Sequence, residues 1–361
     1  MSSVAVALSG GVDSSVAALL LKKAGHEVVG ITFKNFDLND MAKDPSPRNC
    51  CSIEHLNNAR AVCDSLEIPH YVINRVEQFA RDVLSNFRQS YLQGLTPNPC
   101  VRCNSLVRWP EMIHLADDLN LDYIATGHYA RIVKYHDNFA ISRSDNSAKD
   151  QSYALWGVKQ EYLARTLMPL GELTKSQVRE IAADNGLINA SMPESQDICF
   201  VPEGKYFDML ELTSPGPIVD LEGTVLGEHK GISHYTIGQR QGLGISHPEP
   251  LYVLKIDVEN NKLVVGTEQF IFRTSFDIRS SNWFIKLKEG DEIACMAKIR
   301  YRHQPALCRV RIKSDGRASV NFLKPQRAIT PGQSAVFYDN QALLGGGVID
   351  IVHDQEEPLF G

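Results

Sequence analysis

Two segments of this sequence bring together residue types that suit chemistry. The first, residues 9–15, reads Ser-Gly-Gly-Val-Asp-Ser-Ser and directly follows a short apolar run. Its glycines let backbone amides approach an anion, its hydroxyls can donate hydrogen bonds, and the start of a helix favours negative charge. The loop lacks the lysine of the Walker A pattern, so it suits a phosphate without being built to hold a γ-phosphate for transfer. A tight turn capped by Ser or Asp is the alternative interpretation.

The second segment carries Cys100 and Cys103 in the string Asn-Pro-Cys-Val-Arg-Cys. Asn98 can cap a helix that begins at Pro99, which places the two thiols one turn apart at the positive end of that helix. We expect a thiol in this position to ionise more readily than the reference pKa of about 8.5 implies. A buried pair of small residues, a redox pair and half of a zinc site are the alternatives.

The elements that must position these residues alternate between strand and helix over the first two hundred residues. Apolar runs and helical periodicity predict strands at 4–8, 26–33, 70–73 and 122–126, and helices at 12–24, 53–66, 78–91, 103–119 and 175–185. This alternation predicts an α/β domain with a parallel sheet whose ligands bind beyond the carboxyl ends of the strands. Three polar segments fall at such ends, namely residues 9–14, 33–35 and 126–128.

From about residue 204 the composition favours strands over helices. Residues 251–258 and 262–266 predict a hairpin around Asn260-Asn261, and residues 276–352 predict a small β-barrel. Boundaries near 203 and 274 then divide the chain into an α/β catalytic domain at 1–203, a small central β-rich domain at 204–274 and a C-terminal β-barrel domain at 275–361.

Five of the six cysteines outside the second segment are predicted to have structural positions. Cys295 and Cys308 lie in alternating segments and should face inward from strands, and Cys63 should lie in the core. Cys50 and Cys51 should begin a buried helix, with a metal-binding thiol pair on a loop as the alternative. Eight cysteines in 361 residues are too sparse for a disulfide framework. The N-terminus has no signal-peptide pattern and no window of 18 uninterrupted apolar residues occurs, so we expect a cytosolic protein.

The net charge of −6 argues against a nucleic-acid partner until its distribution is considered. Residues 295–330 hold nine Lys and Arg residues against the single acid Asp315, a local charge of +8 that leaves −14 for the rest of the chain. The alternation in residues 298–302 predicts basic side chains along one strand face, with Tyr301 or His303 able to stack on a base. The sequence therefore predicts a phosphate-binding surface on the C-terminal domain.

Several further strings stand in a fixed order along the chain, at residues 96–104, 125–129, 149–153, 195–200 and 235–240. Together with the loop at 9–14 they resemble the tRNA 2-thiouridylase (MnmA) family within the N-type ATP pyrophosphatase superfamily, and the resemblance runs from residue 4 to about residue 350. It implies a PP-loop α/β fold and an enzyme that uses ATP with Mg²⁺ to adenylate the C2 carbonyl oxygen of the wobble uridine of tRNA. Sulfur transfer from a cysteine persulfide then forms 2-thiouridine. It also implies a partner protein that supplies persulfide sulfur, such as a cysteine desulfurase or a relay.

The resemblance also implies roles for individual residues. Cys199 would carry the persulfide and Cys103 would be the nucleophile, the two ending as a disulfide, while Asp13 could help to hold Mg²⁺. The implied ATP contacts are Ala7, Leu8, Ser9, Gly10, Gly11, Val12, Asp13, Ser14, Phe33 and Gly127. The implied tRNA contacts are Asn98, Pro99, Cys100, His128, Lys149, Asp150, Gln151, Arg300, Tyr301 and Gln333.

One position departs from the family pattern, since many members have Asp where this chain has Cys100. This motivates a second hypothesis in which Cys100, Cys103 and Cys199 ligate an iron–sulfur cluster whose open iron carries the sulfide. The sequence is also compatible with a small-molecule adenylating ligase of the same superfamily, and with a non-catalytic tRNA-binding protein that retains the nucleotide loop for regulation.

Overall fold

The computed structural model describes residues 1–36, 53–146, 148–192, 198–200 and 213–353. These residues form two compact units. The first contains the described residues of 1–84 and 99–200 together with 341–343, and the second contains 85–98, 213–340 and 344–353. Cys50 and Cys51 lie outside the described residues. The predicted boundaries near 203 and 274 stay predictions.

A parallel five-stranded sheet organises the first unit, in the order β3-β2-β1-β4-β7. Its strands are β1 (Ser3–Ala7), β2 (Glu27–Lys34), β3 (His70–Asn74), β4 (Tyr123–Thr126) and β7 (Thr166–Leu167). Val4, Ala5 and Val6 are fully buried, as expected for a central strand covered by helices on both faces. The predicted α/β alternation is confirmed, with strand ends within two residues of the predicted ones.

The first two described helices of the first unit are α1 (Val12–Lys23) and α2 (Ile53–Ser65). They continue with α3 (Val76–Phe79), α5 (Pro99–Arg102), α6 (Trp109–Asp118), α7 (Gln160–Leu163) and α8 (Lys175–Asp184). α4 (Ser85–Leu92) belongs to the second unit. Thr174 caps α8 in a reciprocal capping box with Gln177.

Two of the predicted helices contain π-helical segments. The helix predicted at 78–91 is divided into α3, a π segment at Ala80–Leu84 and α4, and the segment Cys103–Arg108 separates α5 from α6. Single π turns are uncommon and concentrate at functional sites. Sequence periodicity cannot reveal them, because one added residue per turn barely changes an apolar pattern over so short a stretch. The antiparallel hairpin β5 (Ala130–Tyr135) and β6 (Asn138–Arg143) also went unpredicted.

The second unit contains a four-stranded sheet in the order β10-β11-β8-β9. Its strands are β8 (Gly216–Val219), β9 (Val225–His229), β10 (Tyr252–Asp257) and β11 (Lys262–Gly266). The predicted hairpin around Asn260-Asn261 is confirmed as β10 and β11, and Asn261 adopts the left-handed backbone (φ 46°) that such a turn requires. Its core is apolar and includes Ile218, Val253, Leu263 and Val265.

Six antiparallel strands form the predicted barrel, closed by the pairing of its first and last strands. They are β12 (Phe272–Trp283), β13 (Glu292–Lys298), β14 (Ala306–Ile312), β15 (Ala318–Arg327), β16 (Ser334–Asp339) and β17 (Ala342–Val352). Cys295 and Cys308 lie opposite each other on β13 and β14 with sulfurs 3.7 Å apart, both buried, which confirms that they face inward. Among the described residues, no helix combines the length and the apolar character that crossing a membrane requires.

Candidate active site

The carboxyl ends of three neighbouring strands of the parallel sheet line a single cavity in the first unit. All three predicted polar segments contribute: Ser9, Asp13 and Ser14 after β1, Phe33 and Asn35 at and after β2, and residues 126–128 at the end of β4. The cavity lining is Ala7, Leu8, Ser9, Asp13, Ser14, Ile31, Thr32, Phe33, Asn35, Cys103, Val107, Arg108, Thr126, Gly127, His128 and Gln151. The implied ATP contacts Gly10, Gly11 and Val12 are not part of this lining.

The loop after β1 has the features of an anion cradle. Gly11 is the N-cap of α1 and offers no side chain, so the first amides of α1 receive no side-chain cap. The alternative of an ordinary capped turn is therefore not what the structure shows. Ser14 Oγ accepts from the Ser9 amide at 3.2 Å and donates to the Gly11 carbonyl at 3.0 Å, which fixes the shape of the loop.

Two glycines allow this loop to pack as it does. Gly10 has φ +78° and an added Cβ would lie 2.0 Å from the carbonyl oxygen of His55 on α2. Gly127 follows β4, and an added Cβ would lie 2.7 Å from the Ser14 amide nitrogen. Because the obstacles are backbone atoms, neither position can accept a side chain without moving the loop.

Asp13 is held from two sides within the loop. Its Oδ1 accepts a hydrogen bond from the Tyr129 hydroxyl at 2.7 Å and an ion-pair contact from Lys175 Nζ, also at 2.7 Å. Lys175 is the first residue of α8, and its side chain is only 13% exposed. Asn189 supports the loop from beneath, since its Nδ2 donates to the Gly10 carbonyl and to Ser15 Oγ, each at 2.8 Å.

Cys103 lies in the same cavity as the phosphate-type loop. It is the first residue of the π segment and is buried, with 9% of its surface exposed. The neighbouring Asn104 is anchored by donation from its Nδ2 to the Ala154 carbonyl at 3.0 Å. The segment thus presents one thiol to the loop while its next residue fixes the backbone.

Cys100 behaves differently from the sequence expectation. Helix α5 begins at Pro99, as predicted, and Cys100 keeps an exposed surface, yet protein atoms crowd its sulfur. This desolvation, with the nearby Cys199 and Cys103 thiols, raises the pKa of Cys100 to about 12 despite the opposing charge of Arg108. The expectation of easier ionisation is therefore wrong for Cys100, because desolvation and the two neighbouring thiols outweigh the favourable effects of the helix start and of Arg108.

Cys199 is partly exposed and lies close enough to Cys100 to contribute to the raised pKa of that thiol. Its neighbour Phe200 is 6% exposed and packs its ring 5.7 Å from that of Phe79 and 6.3 Å from that of Phe36. This aromatic cluster fixes the chain on which Cys199 stands. No group of three or more His, Cys, Asp or Glu side chains among the described residues, which include all three cysteines, is arranged to hold a metal ion.

His128 and Arg108 are in contact in the lining of the cavity. Arg108 Nη1 donates to Asn104 Oδ1 at 2.8 Å and lies 3.4 Å from His128 Nε2. The His128 ring packs 5.5 Å from the ring of Trp109, which is fully buried. Burial, with the charge of Arg108, lowers the pKa of His128 to about 3, so the imidazole is neutral at physiological pH.

The remaining implied tRNA contacts in the first unit have partners inside the protein. Asp150 is 3% exposed, and its carboxylate accepts from Arg143 Nε at 3.1 Å and from the Ser152 amide at 3.1 Å. Gln151 lines the cavity and accepts from the Tyr129 amide through Oε1 at 2.9 Å. Lys149 is half-buried in the preceding turn.

In the second unit, the prediction of a strand of basic residues over 298–302 is wrong about where the strand ends. β13 ends at Lys298, which is 6% exposed, and residues 299–302 form a bend and a turn. Arg300 instead donates from Nη1 to the Arg327 carbonyl at 2.9 Å, and Tyr301 is 45% exposed with the Lys298 ammonium 5.7 Å from its ring centre. The alternation continues on β14, where Arg309 and Arg311 point outward.

The segment just before Cys100 is held by hydrogen bonds within the second unit. Gln333 Nε2 donates to the Thr96 carbonyl at 3.1 Å, and the Thr96 amide donates to the Pro331 carbonyl at 3.0 Å. Asn98, the last residue of this segment, is half-buried. The side chain of Gln333 thus has a structural partner in addition to the implied tRNA contact.

Several residues of the cavity were missed by reasoning from the sequence. Arg108, Asn104 and Tyr129 lie in or beside quoted strings, but nothing in their spacing indicated which of them faces the cavity. Lys175 was recognisable only as the first residue after a Thr-x-x-Gln capping signal, which predicts a helix start and not a partner for Asp13.

Comparison with known proteins agrees with this architecture. Residues 2–203 match the family model described as tRNA methyl transferase HUP domain, residues 208–267 the tRNA methyl transferase PRC-barrel domain, and residues 273–349 the aminomethyltransferase beta-barrel domain. The tRNA-specific 2-thiouridylase MnmA of Lachnoclostridium phytofermentans is 44% identical over 355 residues, covering 97% of this chain and 99% of that protein. The protein of the same name from Geobacter metallireducens is 45% identical, covering 96% of each. With identity at this level across nearly the full length of both chains, the chain belongs to the tRNA-specific 2-thiouridylase (MnmA) family.

Proposed function

We propose that this chain is a tRNA-uridine 2-sulfurtransferase that uses ATP to replace the C2 oxygen of the wobble uridine with sulfur. The observation that carries the proposal is that Cys103 and the loop at residues 9–14 line the same cavity. A phosphate-type cradle beside a thiol suits a reaction that activates an oxygen as a phosphate ester and then displaces it with sulfur. The family of the chain supports the same reaction.

The activation step is assigned to the loop. ATP would lie with its phosphates against the uncapped amides of α1 and the hydroxyls of Ser9 and Ser14, and with its base towards Phe33 and Gly127. The uracil C2 oxygen attacks the α-phosphorus, the bond to the β-phosphate oxygen breaks, and pyrophosphate leaves. AMP is then attached to C2 through oxygen and is a far better leaving group than oxide.

The residues around the loop also fit Mg²⁺, which would accompany the nucleotide and neutralise phosphate charge. Asp13 offers a carboxylate oxygen in the cavity lining, and hard oxygen donors are what Mg²⁺ prefers. Lys175 and Tyr129 hold Asp13 in position through its Oδ1. Their contribution is to orient the carboxylate towards the nucleotide before it binds.

The sulfur step is assigned to Cys199 and Cys103. A persulfide on Cys199, loaded by a donor protein, is attacked at the Cys199 sulfur by the Cys103 thiolate. The sulfur–sulfur bond of the persulfide breaks, hydrosulfide is released, and a Cys103–Cys199 disulfide forms. Hydrosulfide attacks C2, AMP leaves with its oxygen, and a thiol reductant restores the two cysteines.

The second unit would hold the tRNA. Exposed basic side chains on β14 and the exposed Tyr301 are of the kinds that contact phosphates and bases. Residues Asn98, Pro99 and Cys100 would contact the target base, with His128, residues 149–151, Arg300 and Gln333 contributing further contacts. The cytoplasm, where tRNA and ATP are both present, is the proposed location.

Release of AMP and pyrophosphate that depends on added tRNA tests the proposal. We expect both products with a substrate tRNA and a persulfide donor, together with 2-thiouridine in the digested tRNA. A small-molecule ligase would release them without tRNA, and a non-catalytic tRNA-binding protein would release neither. The iron–sulfur hypothesis is tested by anaerobic purification, since iron that co-purifies and is needed for activity would replace the persulfide route.

A further inference from the structure

Arg108 lines the same cavity as the loop and Cys103. It is the last residue of the π segment that begins with Cys103, and both residues line the cavity. Its contacts include two neutral groups, the Asn104 amide oxygen at 2.8 Å and the His128 Nε2 at 3.4 Å, which help to orient the guanidinium. A cation held in this way is pre-organised for an anionic ligand in the cavity.

The protonation of His128 follows from its neighbours. A guanidinium can only donate, so His128 Nε2 must accept, and the ring proton must be on Nδ1. Nδ1 then donates to Thr126 Oγ1 at 2.9 Å. With its ring packed on buried Trp109, His128 is a fixed neutral acceptor that sets the direction of Arg108.

We propose that Arg108 binds the α-phosphate of the nucleotide and that His128 is a positioning residue for it. The assignment rests on the proposed function, in which sulfur from the cysteines must reach a carbon joined through one oxygen to that phosphate. The group beside Cys103 is then the α-phosphate, whereas the pyrophosphate end lies on the loop and the start of α1. A planar guanidinium can donate two hydrogen bonds to a phosphate while its charge stabilises the AMP that departs.

Binding measurements on the full chain separate this role from general electrostatics. Isothermal titration with AMP, adenosine and pyrophosphate probes the three parts of the nucleotide one at a time. For Arg108→Met we expect AMP affinity to fall by at least about tenfold, with adenosine and pyrophosphate within about twofold of the parent. Arg108→Lys should lie between, because an ammonium keeps the charge and loses the fork.

Arg81→Met is the matched control, since Arg81 is 71% exposed and pairs with its neighbour Asp82. The proposal is overturned if AMP affinity is unchanged in Arg108→Met, or if adenosine affinity falls as far as AMP affinity in both Arg108 variants. An equal loss of pyrophosphate affinity would equally overturn the α-phosphate assignment. These readouts need no tRNA, so the proposal can stand where tRNA-dependent thiolation is absent, and can fail where thiolation is present.

The positioning role of His128 is tested by a double-variant cycle on AMP affinity. His128→Ala should lower AMP affinity on its own and cause no further loss in the Arg108→Met background, because its effect passes through Arg108. Additive losses would overturn the positioning role. Circular dichroism spectra and thermal midpoints of all four proteins show whether a loss of affinity reflects a loss of folding.

Discussion

Cys103 and Cys199 are held in different ways, which makes their contributions separable. Cys103 is buried in the cavity at the start of a π segment, whereas Cys199 is partly exposed beside the anchored ring of Phe200. Cys100 is nearby but, with a pKa raised to about 12, it stays a neutral thiol at physiological pH. A neutral thiol is a poor nucleophile, so Cys100 is a weaker candidate for the nucleophile than its exposure alone would suggest.

Cys199→Ser should abolish formation of 2-thiouridine while tRNA affinity stays within about twofold of the parent. The substitution removes the atom that carries the transferred sulfur but leaves the Phe200 cluster and the basic surface of the second unit intact. Nucleoside mass analysis of treated tRNA measures the first effect and filter binding the second. A large loss of tRNA affinity would contradict the role assigned to Cys199.

The sequence indicated Cys103 through its position with Cys100 at a helix start, but it indicated Cys199 only through the family resemblance, since Cys199 has no local signal of its own. Residue types alone made the loop at 9–15 a candidate anion site with a capped turn as the alternative, and the lack of a side-chain cap on α1 argues against that alternative. Arg108 and Lys175 were not identifiable in this way, because a cation in a helix is usually solvated. Only the packing around Asn104, His128 and Asp13 distinguishes them from surface residues.

Among the elements, the junction between β4 and the loop after β1 depends on the absence of a side chain at Gly127. The backbone atoms of Asp13 and Ser14 lie within 3 Å of where a Cβ would stand. Helix α1 cannot move aside easily, because its residues from Val16 to Ala18 are fully buried in the core. Asp13 and Ser14 belong to the first turn of α1, so this turn and the loop before it would be displaced in preference to the rest of the helix.

Gly127→Ala should weaken ATP binding by at least about tenfold, because the displaced loop no longer presents its amides in the same arrangement. The control is Gly227→Ala on β9, where an added Cβ meets only a flexible Ile245 methylene group at 3.3 Å. Titration calorimetry with ATP compares the two variants with the parent. Parental ATP affinity in Gly127→Ala would show that the close approach does not matter for the nucleotide.

Cys63 on helix α2 is fully buried in the core of the first unit. We therefore expect the free energy of unfolding to depend on pH. Burial, with a smaller effect of Asp64, raises the pKa of Cys63 from 9.0 to about 12. Between these values the unfolded chain has lost the proton and the folded chain keeps it, so the free energy of unfolding falls as pH rises. One thiol can lower the free energy of unfolding by at most about 1.4 kcal/mol per pH unit. This loss of stability begins near pH 9.

The stability difference between the parent and Cys63→Ala isolates this thiol, because other titrating groups cancel. Below pH 9 the parent should be more stable by the cost of the small cavity, about 1 to 2 kcal/mol. The difference should shrink steadily from pH 9 to pH 10.5. Urea titrations followed by circular dichroism measure it, and a difference that stays constant over this range would contradict burial of the thiol in its neutral form.

The sequence predicted the parallel sheet and the barrel because both depend on long-range burial patterns that recur in each strand. It failed where one element is short or irregular. The π segments at Ala80–Leu84 and Cys103–Arg108 and the two-residue strand β7 leave no periodic signal. The expected basic strand beyond Lys298 failed because alternation alone cannot show where a strand ends.

Considered over the entire chain, the local charge of +8 is reduced by acids that the sequence window did not contain. Lys313 lies 3.0 Å from Asp277, Arg309 lies 3.7 Å from Glu292, and Arg317 and Arg327 have acidic partners on other elements of the second unit. Exposed ion pairs of this kind are weak and exchange readily with phosphates. The basic surface is therefore real but less positive than the window suggested, and its contribution must be measured as a salt dependence.

Replacing Arg309 and Arg311 with Gln should weaken tRNA binding for all substrate sequences alike and reduce the slope of log affinity against log salt by about 1 to 2. Both side chains are exposed on β14, so their removal costs little stability, and each phosphate contact that is lost no longer releases counterions. The matched control replaces Arg81 and Lys159, also exposed, with Gln and removes the same total charge from the first unit.

Filter binding across a range of salt concentrations gives the slopes. An equal change in both double variants would mean that net charge, and not this strand face, determines tRNA affinity. An unchanged slope in the Arg309 and Arg311 variant would assign the tRNA phosphates to another surface.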